Sequence, residues 1–414
     1  MHIQTLDLLR CPFCGGRLEL VDSMFHQTSG DEVETGILGC ECCIFPVVNG
    51  IPVLHLEAAS NRARAEIEAG RPELALRAMV GLTDAGEAEQ FESAVASPSS
   101  TYRDIVDSLG PTFEGGYFLY RFSDPTYLVA SAVVRSVGSM VLARRQRSVD
   151  ICGGSGHLTR ALLDLSSDPP VLADLYFAKL WLARRFTAPG CEPVCCDGNS
   201  PMPFARGAFG LALCSDAFQY IWTKRQFVAE LSRLIAGRER AAVVIGHTHN
   251  QLTWSPSHGQ PLTPAGYSNL FETLDPRIYG EAGLFADVTG GRLDLGRRDT
   301  QEALDGDPAL TIVASTDPRV YGLHLLEAPG AARGEFRLNP LYATELRGDR
   351  LHLRLQFPSP DYEDEYGACK QYLPSEAELA SSALEQLRRT GVVAPEFVDL
   401  VRRRVIVDLP RLYY

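Results

Sequence analysis

The stretch Asp150-Ile-Cys-Gly-Gly-Ser-Gly-His-Leu-Thr159 decides the fold. It begins as the end of an apolar strand, turns through Cys152, Gly153, Gly154 and Gly156, and enters a helical pattern. Leu158, Ala161, Leu162 and Leu165 share one face of that helix. Small residues at the turn let the backbone bend sharply and approach a ligand closely. Dinucleotide binding competes for such a turn, but G-x-G-x-x-G needs glycine where Thr159 stands.

Working outward, short apolar runs recur at residues 149–152, 170–174, 193–197, 209–214 and 241–246. Helical patterns separate them, among them Phe227, Val228, Leu231, Leu234 and Ile235 on one face. Strand and helix alternating at this spacing predict βαβ units and an α/β fold with a doubly wound, mostly parallel sheet. Ligands of such sheets sit beyond the carboxyl ends of the strands. Asp174 ends the second run, and Asp197, followed by Gly198 and Asn199, ends the third. One such acid alone reads as a solvated loop carboxylate. Three acids at successive strand ends beside a glycine turn outweigh that reading.

This set resembles the class I S-adenosylmethionine (SAM) dependent methyltransferases, whose first motif, [DE]-x-G-x-G-x-G, maps onto Asp150, Cys152, Gly154 and Gly156. Cys152 replaces the first glycine, with Gly153 beside it. The resemblance implies a Rossmann-like sheet, Asp174 on the ribose hydroxyls, and Asp197 with Gly198 at the adenine. It implies that residues 213–220, Ser215 among them, lie under the methionine moiety, with Gln219 and Tyr220 where many relatives have a histidine pair. It also implies a lid from residues 115–125, whose Tyr117, Tyr120 and Arg121 contact the methionine carboxylate or the substrate. The other reading is that these aromatics pack the lid helix.

Five of eleven cysteines fall within the first 43 residues. Cys11-Pro-Phe-Cys14 and Cys40-Glu-Cys42-Cys43 make two C-x-x-C pairs, which place four thiolates around a tetrahedral zinc ion. The spacing selects Cys11, Cys14, Cys40 and Cys43 as metal ligands, with Cys42 spare; buried reduced thiols are the alternative. Together with residues 45–54, Phe-Pro-Val-Val-Asn-Gly-Ile-Pro-Val-Leu, this segment resembles the zinc-ribbon activators of tRNA and release-factor methyltransferases, the Trm112 family. That resemblance implies a structural ribbon that braces a methyltransferase domain and does no chemistry itself.

The fifth run leads into Gly246-His-Thr-His-Asn250, where His247 and His249 project to one face of a strand. Three roles compete for them: general base or substrate contact, a metal site with His258 and a carboxylate, or histidines that pin the loop. Farther on, residues 349–357 alternate as a strand, and residues 404–408 are the expected closing strand of the sheet. Residues 361–366 form an acidic, tyrosine-bearing loop, which would bind a cation or simply be solvated. Ser375 and Glu378 resemble a capping box opening a helix to about Arg389.

Across 414 residues the net charge is -13, and no basic run carries interleaved aromatics, which argues against a nucleic-acid substrate. No apolar run is long enough to span a bilayer, and the first residues lack a basic stretch followed by an apolar core. A cytoplasmic protein without a membrane partner is therefore expected. The expected domains are a ribbon at 1–57, a helical linker at 58–100, a SAM-binding core with lid at 101–250, and a C-terminal substrate cap completing the sheet at 251–414. The expected cofactors are SAM and a structural zinc. The expected activity is SAM-dependent methylation of a small molecule, in bacterial natural-product biosynthesis, by in-line transfer to O, C or N, with His247 or His249 as the base. A methylase of RNA or protein, and a SAM-binding protein without methyl transfer, are the alternatives.

Overall fold

The computed structural model describes residues 1–110, 115–143, 145–255 and 259–414, without the side chains of residues 115–117, 365 and 368. The first 52 residues form a five-stranded antiparallel unit: β1 (Glu19–Leu20), β2 (Gln27–Ser29), β3 (Glu32–Gly39), β4 (Ile44–Val48) and β5 (Ile51–Pro52). Helices α1 (Ala58–Glu68), α2 (Pro72–Val80) and α3 (Ala85–Ala96) follow. Next come α4 (Tyr102–Ser108), α5 (Gly115–Tyr120) and α6 (Pro125–Val141). Thr101 and Asp104 close a capping box on α4, while Asp124 accepts the Thr126 amide at 2.8 Å to start α6, with Pro125 at its first position.

The large sheet holds β6 (Ser148–Ile151), β7 (Val171–Asp174), β8 (Glu192–Cys195), β9 (Leu211–Ser215) and β10 (Ala242–His249), the five expected strands, all parallel. Between them lie α7 (Thr159–Leu162), α8 (Phe177–Leu182) and α9 (Lys224–Leu234). After α10 (Pro264–Ser268) come β11 (Pro276–Gly280), α11 (Glu281–Thr289), β12 (Arg292–Asp294), α12 (Gln301–Gly306) and β13 (Ala309–Ser315). The spatial order is β11-β13-β10-β9-β6-β7-β8, with β13 antiparallel to both neighbours. This is the doubly wound, mostly parallel α/β class that the alternation predicts. Alternate residues face opposite layers: Val243 and Ile245 pack with α9, Ala242 and Val244 with α6 and α11.

The ribbon continues this sheet. Val53 bridges Cys195 in parallel register, and the Leu54 amide donates to the Cys195 carbonyl at 2.7 Å, so the segment after β5 covers the edge strand β8. Met1, Leu9, Leu18 and Phe45 share one apolar core with Phe204, Phe209 and α9.

Three expectations about the later chain are corrected. The strand that closes the sheet is β13; residues 404–408 contribute instead to β19 (Ile406–Leu409), which pairs with β15 (Glu335–Leu338) in a separate two-stranded sheet. That lies after β14 (Leu323–Leu325), the partner of β12. The run 349–357 is a strand, β17 (Arg350–Leu355), between β16 (Tyr342–Arg347) and β18 (Glu376–Ala380). The acidic segment is helical, α13 (Pro360–Tyr366), capped by the Ser359 side chain. Glu378 lies in β18, and the helix α14 starts only at Ser381, so the capping box at Ser375 does not form. A last helix, α15 (Val398–Arg402), precedes β19. No helix among the described residues is long and apolar enough to cross a membrane.

Candidate active site

The turn after β6 is built on backbone conformations that side chains resist. Gly154 and Gly156 have φ of +55° and +74°, and Cys152, in the glycine position of the motif, adopts +59°. Left-handed backbone at a non-glycine residue is strained and persists where its surroundings enforce it. A Cβ on Gly198 would come within 3.0 Å of the Cys152 Sγ, so the thiol spans the turns after β6 and β8.

Asp150 lies beneath the turn, fully buried, where Thr159 Oγ1 donates to it at 2.7 Å; burial pushes its carboxyl up to about 7. Asp174 joins the second strand end to the first. Its Oδ2 accepts the Gly154 amide at 2.9 Å, and its Oδ1 accepts the Tyr176 amide at 2.8 Å. Burial raises its carboxyl, and the Lys179 ammonium opposes that shift. Asp197 caps its own turn, accepting from the Asn199 amide at 2.8 Å and from Ser200 Oγ at 3.2 Å. Ser215 Oγ, at the end of β9, is buried without a hydrogen-bond partner among the described residues.

The lid differs in detail from expectation. Tyr120 turns toward the C-terminal part, its ring 5.4 Å from that of Tyr362. Phe118 takes the place over the turn: a Cβ on Gly154 would lie 3.1 Å from its ring, and the Lys179 ammonium sits 4.5 Å from the ring centroid. Neither Phe118 nor Lys179 was marked by the sequence pattern. A heptad-like spacing could not have found them, because they come from different elements. The side chain of Tyr117 lies outside the described residues, as does His258.

At the ends of β9 and β10 a polar cluster forms. Arg121 Nη2 is 3.2 Å from Asp216 Oδ2, Gln219 Nε2 donates to Asp216 Oδ1 at 3.2 Å, and Asp216, His247 and His249 converge. The two histidines are not equivalent. His247 Nδ1 is 2.7 Å from Glu281 Oε2, and its amide donates to Glu281 Oε1 at 3.0 Å. Burial disfavours charge on this ring, yet the Glu281 carboxylate overrides it and pushes the ring up to about 9. The Glu281 carboxylate thus favours the charged ring, which weighs against His247 and toward His249 as the proton acceptor. Burial lowers His249, whose Nδ1 is 3.2 Å from Ser255 Oγ. Trp222 and Trp254 are exposed; the Trp222 amide donates to Asn199 Oδ1 at 2.7 Å, and Trp254 precedes Ser255 in the chain.

In the ribbon, the sulfurs of Cys11 and Cys42, Cys14 and Cys40, and Cys40 and Cys42 are 3.7, 3.8 and 3.6 Å apart. A tetrahedral zinc with Zn–S of about 2.3 Å needs edges of about 3.7 Å. The group that gathers is Cys11, Cys14, Cys40 and Cys42, which corrects Cys43 as the fourth member. The Cys40 amide donates to the Cys43 carbonyl at 2.9 Å, closing a two-residue turn that commits Cys43 to the β4 side of the hairpin. Four thiols in this arrangement fit a structural zinc.

No family profile matches the chain, and no curated protein does. Among solved structures the chain is similar to SAM-dependent methyltransferases. A TehB-like SAM-dependent methyltransferase from Corynebacterium glutamicum is 14% identical, with 45% of this chain and 86% of that one covered and a TM-score of 0.33. Geranyl diphosphate C-methyltransferase from Streptomyces coelicolor A3(2) gives 14% identity over 54% and 84%, with a TM-score of 0.34. A chain of a complex holding the Haloferax volcanii Trm112 methyltransferase activator gives 16% identity over 49% and 93%, with a TM-score of 0.38. Likenesses this partial assign neither a substrate nor a role to any residue of this chain.

Proposed function

We propose that this protein is a SAM-dependent methyltransferase acting on a small molecule, with a zinc-bearing ribbon, residues 1–57, as a structural brace. The observation that carries this reading is the hydrogen bond from the Gly154 amide to Asp174, which makes one site of the glycine turn and the second-strand acid. Asp174 would hold the ribose hydroxyls through its remaining lone pairs, a charged acceptor for two donors. Asp197 and Gly198 would border the adenine, and Cys152, Gly153, Gly154, Gly156 and Ser215 would line the rest of the donor's path. When bound, SAM supplies an electrophilic methyl group on its sulfonium.

The chain's own contribution is positioning and exclusion of water. Phe118 and Arg121 from the lid segment close over the turn and the polar cluster, and the exposed tryptophans offer an apolar approach for the acceptor. The acceptor atom gains the methyl group as the sulfur–methyl bond breaks, and its proton leaves toward the polar cluster or water. Tyr120 drops out of the donor site in this reading. A small acceptor is supported by the net charge of -13, since nucleic acid demands a basic face. Incubation with methyl-labelled SAM and panels of phenols, amines, activated carbon acids and RNA should label a small acceptor and leave RNA unlabelled. Label in RNA alone would overturn the substrate class.

A further inference from the structure

The cluster beyond the donor turn has the makings of a second metal site, apart from the ribbon cysteines. Asp216, His247 and His249 each present a ligand atom within 4.8 Å of the other two. The backbone is bent to bring them there. Asp216 and His247 take φ of +54° and +47°, and the ladder between β10 and β13 shifts register between Ile245 and Thr248. Strain of this kind in residues other than glycine gathers at ligand clamps.

The surroundings of each imidazole point the same way. His247 Nδ1 is held by Glu281, whose other oxygen accepts from Thr311 Oγ1 at 3.0 Å, and His249 Nδ1 is held by Ser255. An outer carboxylate or hydroxyl on one ring nitrogen is what fixes a metal-binding histidine, leaving Nε2 for the cation. A second, independent observation concerns Gln219. It is fully buried, its Nε2 is on Asp216, and its Oε1 has no hydrogen-bond partner among the described residues. A buried amide oxygen without a partner, on a side chain hydrogen-bonded to Asp216, is a polar group that a bound cation or its water would satisfy. A cation that binds here displaces the ring proton of His247, and the carboxylates of Asp216, Glu281 and Asp124 lie around the cluster with Arg121.

We infer that Asp216, His247 and His249, with Gln219 hydrogen-bonded to Asp216, bind a divalent cation of the first transition series, such as Mn²⁺, Fe²⁺ or Zn²⁺. Two imidazoles select these ions over Mg²⁺ and Ca²⁺, which take oxygen donors. The positions that the protein leaves open accept an oxygen of the acceptor. This deepens the proposed function by naming an oxygen-bearing acceptor, and it turns the two histidines from acid–base groups into ligands.

The test uses the full-length protein with its ribbon zinc in place. Mn²⁺ is added and followed by the electron paramagnetic resonance of the free ion. One Mn²⁺ per chain should bind. Affinity should fall at least tenfold in Asp216→Asn and His249→Gln, and about ten- to a hundredfold in Glu281→Gln, which alters only the outer shell. Melting temperature in all three variants, and binding of S-adenosylhomocysteine in His249→Gln, should stay near wild type, which separates lost ligands from lost folding. Wild-type protein that binds no Mn²⁺ at millimolar concentration would overturn the inference. So would variants that lose turnover yet bind Mn²⁺ as wild type does, which is the signature of a base. Mn²⁺ binding needs no SAM, so a failure of the donor site would appear separately, as absent S-adenosylhomocysteine binding.

Discussion

At the scale of single residues, the choice between Cys42 and Cys43 shows what spacing can and cannot say. C-x-x-C counting favours Cys43, but pairing of Gly39 with Ile44 across the hairpin places Glu41 and Cys42 at its tip. The thiol at the tip reaches the other three. Cys42→Ser should therefore lose most of the zinc by elemental analysis, while Cys43→Ser should retain about one zinc per chain. The opposite pattern would restore the spacing-based assignment. The same limit applies to the histidines. Their shared face was legible in Gly246-His-Thr-His, whereas the Glu281 partner, 34 residues on, was not.

At the scale of elements, the glycine turn and the two acids were readable because they depend on local chemistry. Residues that need left-handed backbone and carboxylates that end strands announce themselves in a window of ten. Gly156 makes the point quantitatively: a Cβ there would lie 2.9 Å from the Ala183 Cβ and 3.3 Å from that of Ala188, on top of its positive φ. Gly156→Ala should cost about 2 kcal/mol or more in stability, because left-handed backbone and overpacking add. A denaturation midpoint equal to wild type would contradict that. The closing strand was not readable in this way. Residues 309–315 and 404–408 both carry apolar runs, and which one enters the sheet is fixed by nonlocal pairing with β10.

At the scale of the whole molecule, distant segments meet on the glycine turn. The fully buried Tyr413 stacks on Tyr102 with ring centroids 4.6 Å apart, and its hydroxyl donates to the Phe118 carbonyl at 2.7 Å and lies 2.8 Å from His157 Nε2. His157 belongs to the turn and Phe118 to α5, so the C-terminal part fastens the two together. The ribbon meanwhile closes the β8 edge, beside the strand end that carries Asp197. The ribbon's motif implied a brace but not the strand it meets, and the Tyr413 contact had no local signal, since each joins stretches more than a hundred residues apart. Both brace the place where Asp174 meets Gly154. Calorimetric binding of S-adenosylhomocysteine to wild type and to Asp174→Ala tests that site most directly. Wild type should bind one equivalent, and Asp174→Ala should weaken binding at least a hundredfold, since a charged hydrogen-bond acceptor contributes about 1.5–3 kcal/mol for each donor it serves. Equal affinity in the two proteins, or none in the wild type, would contradict the account.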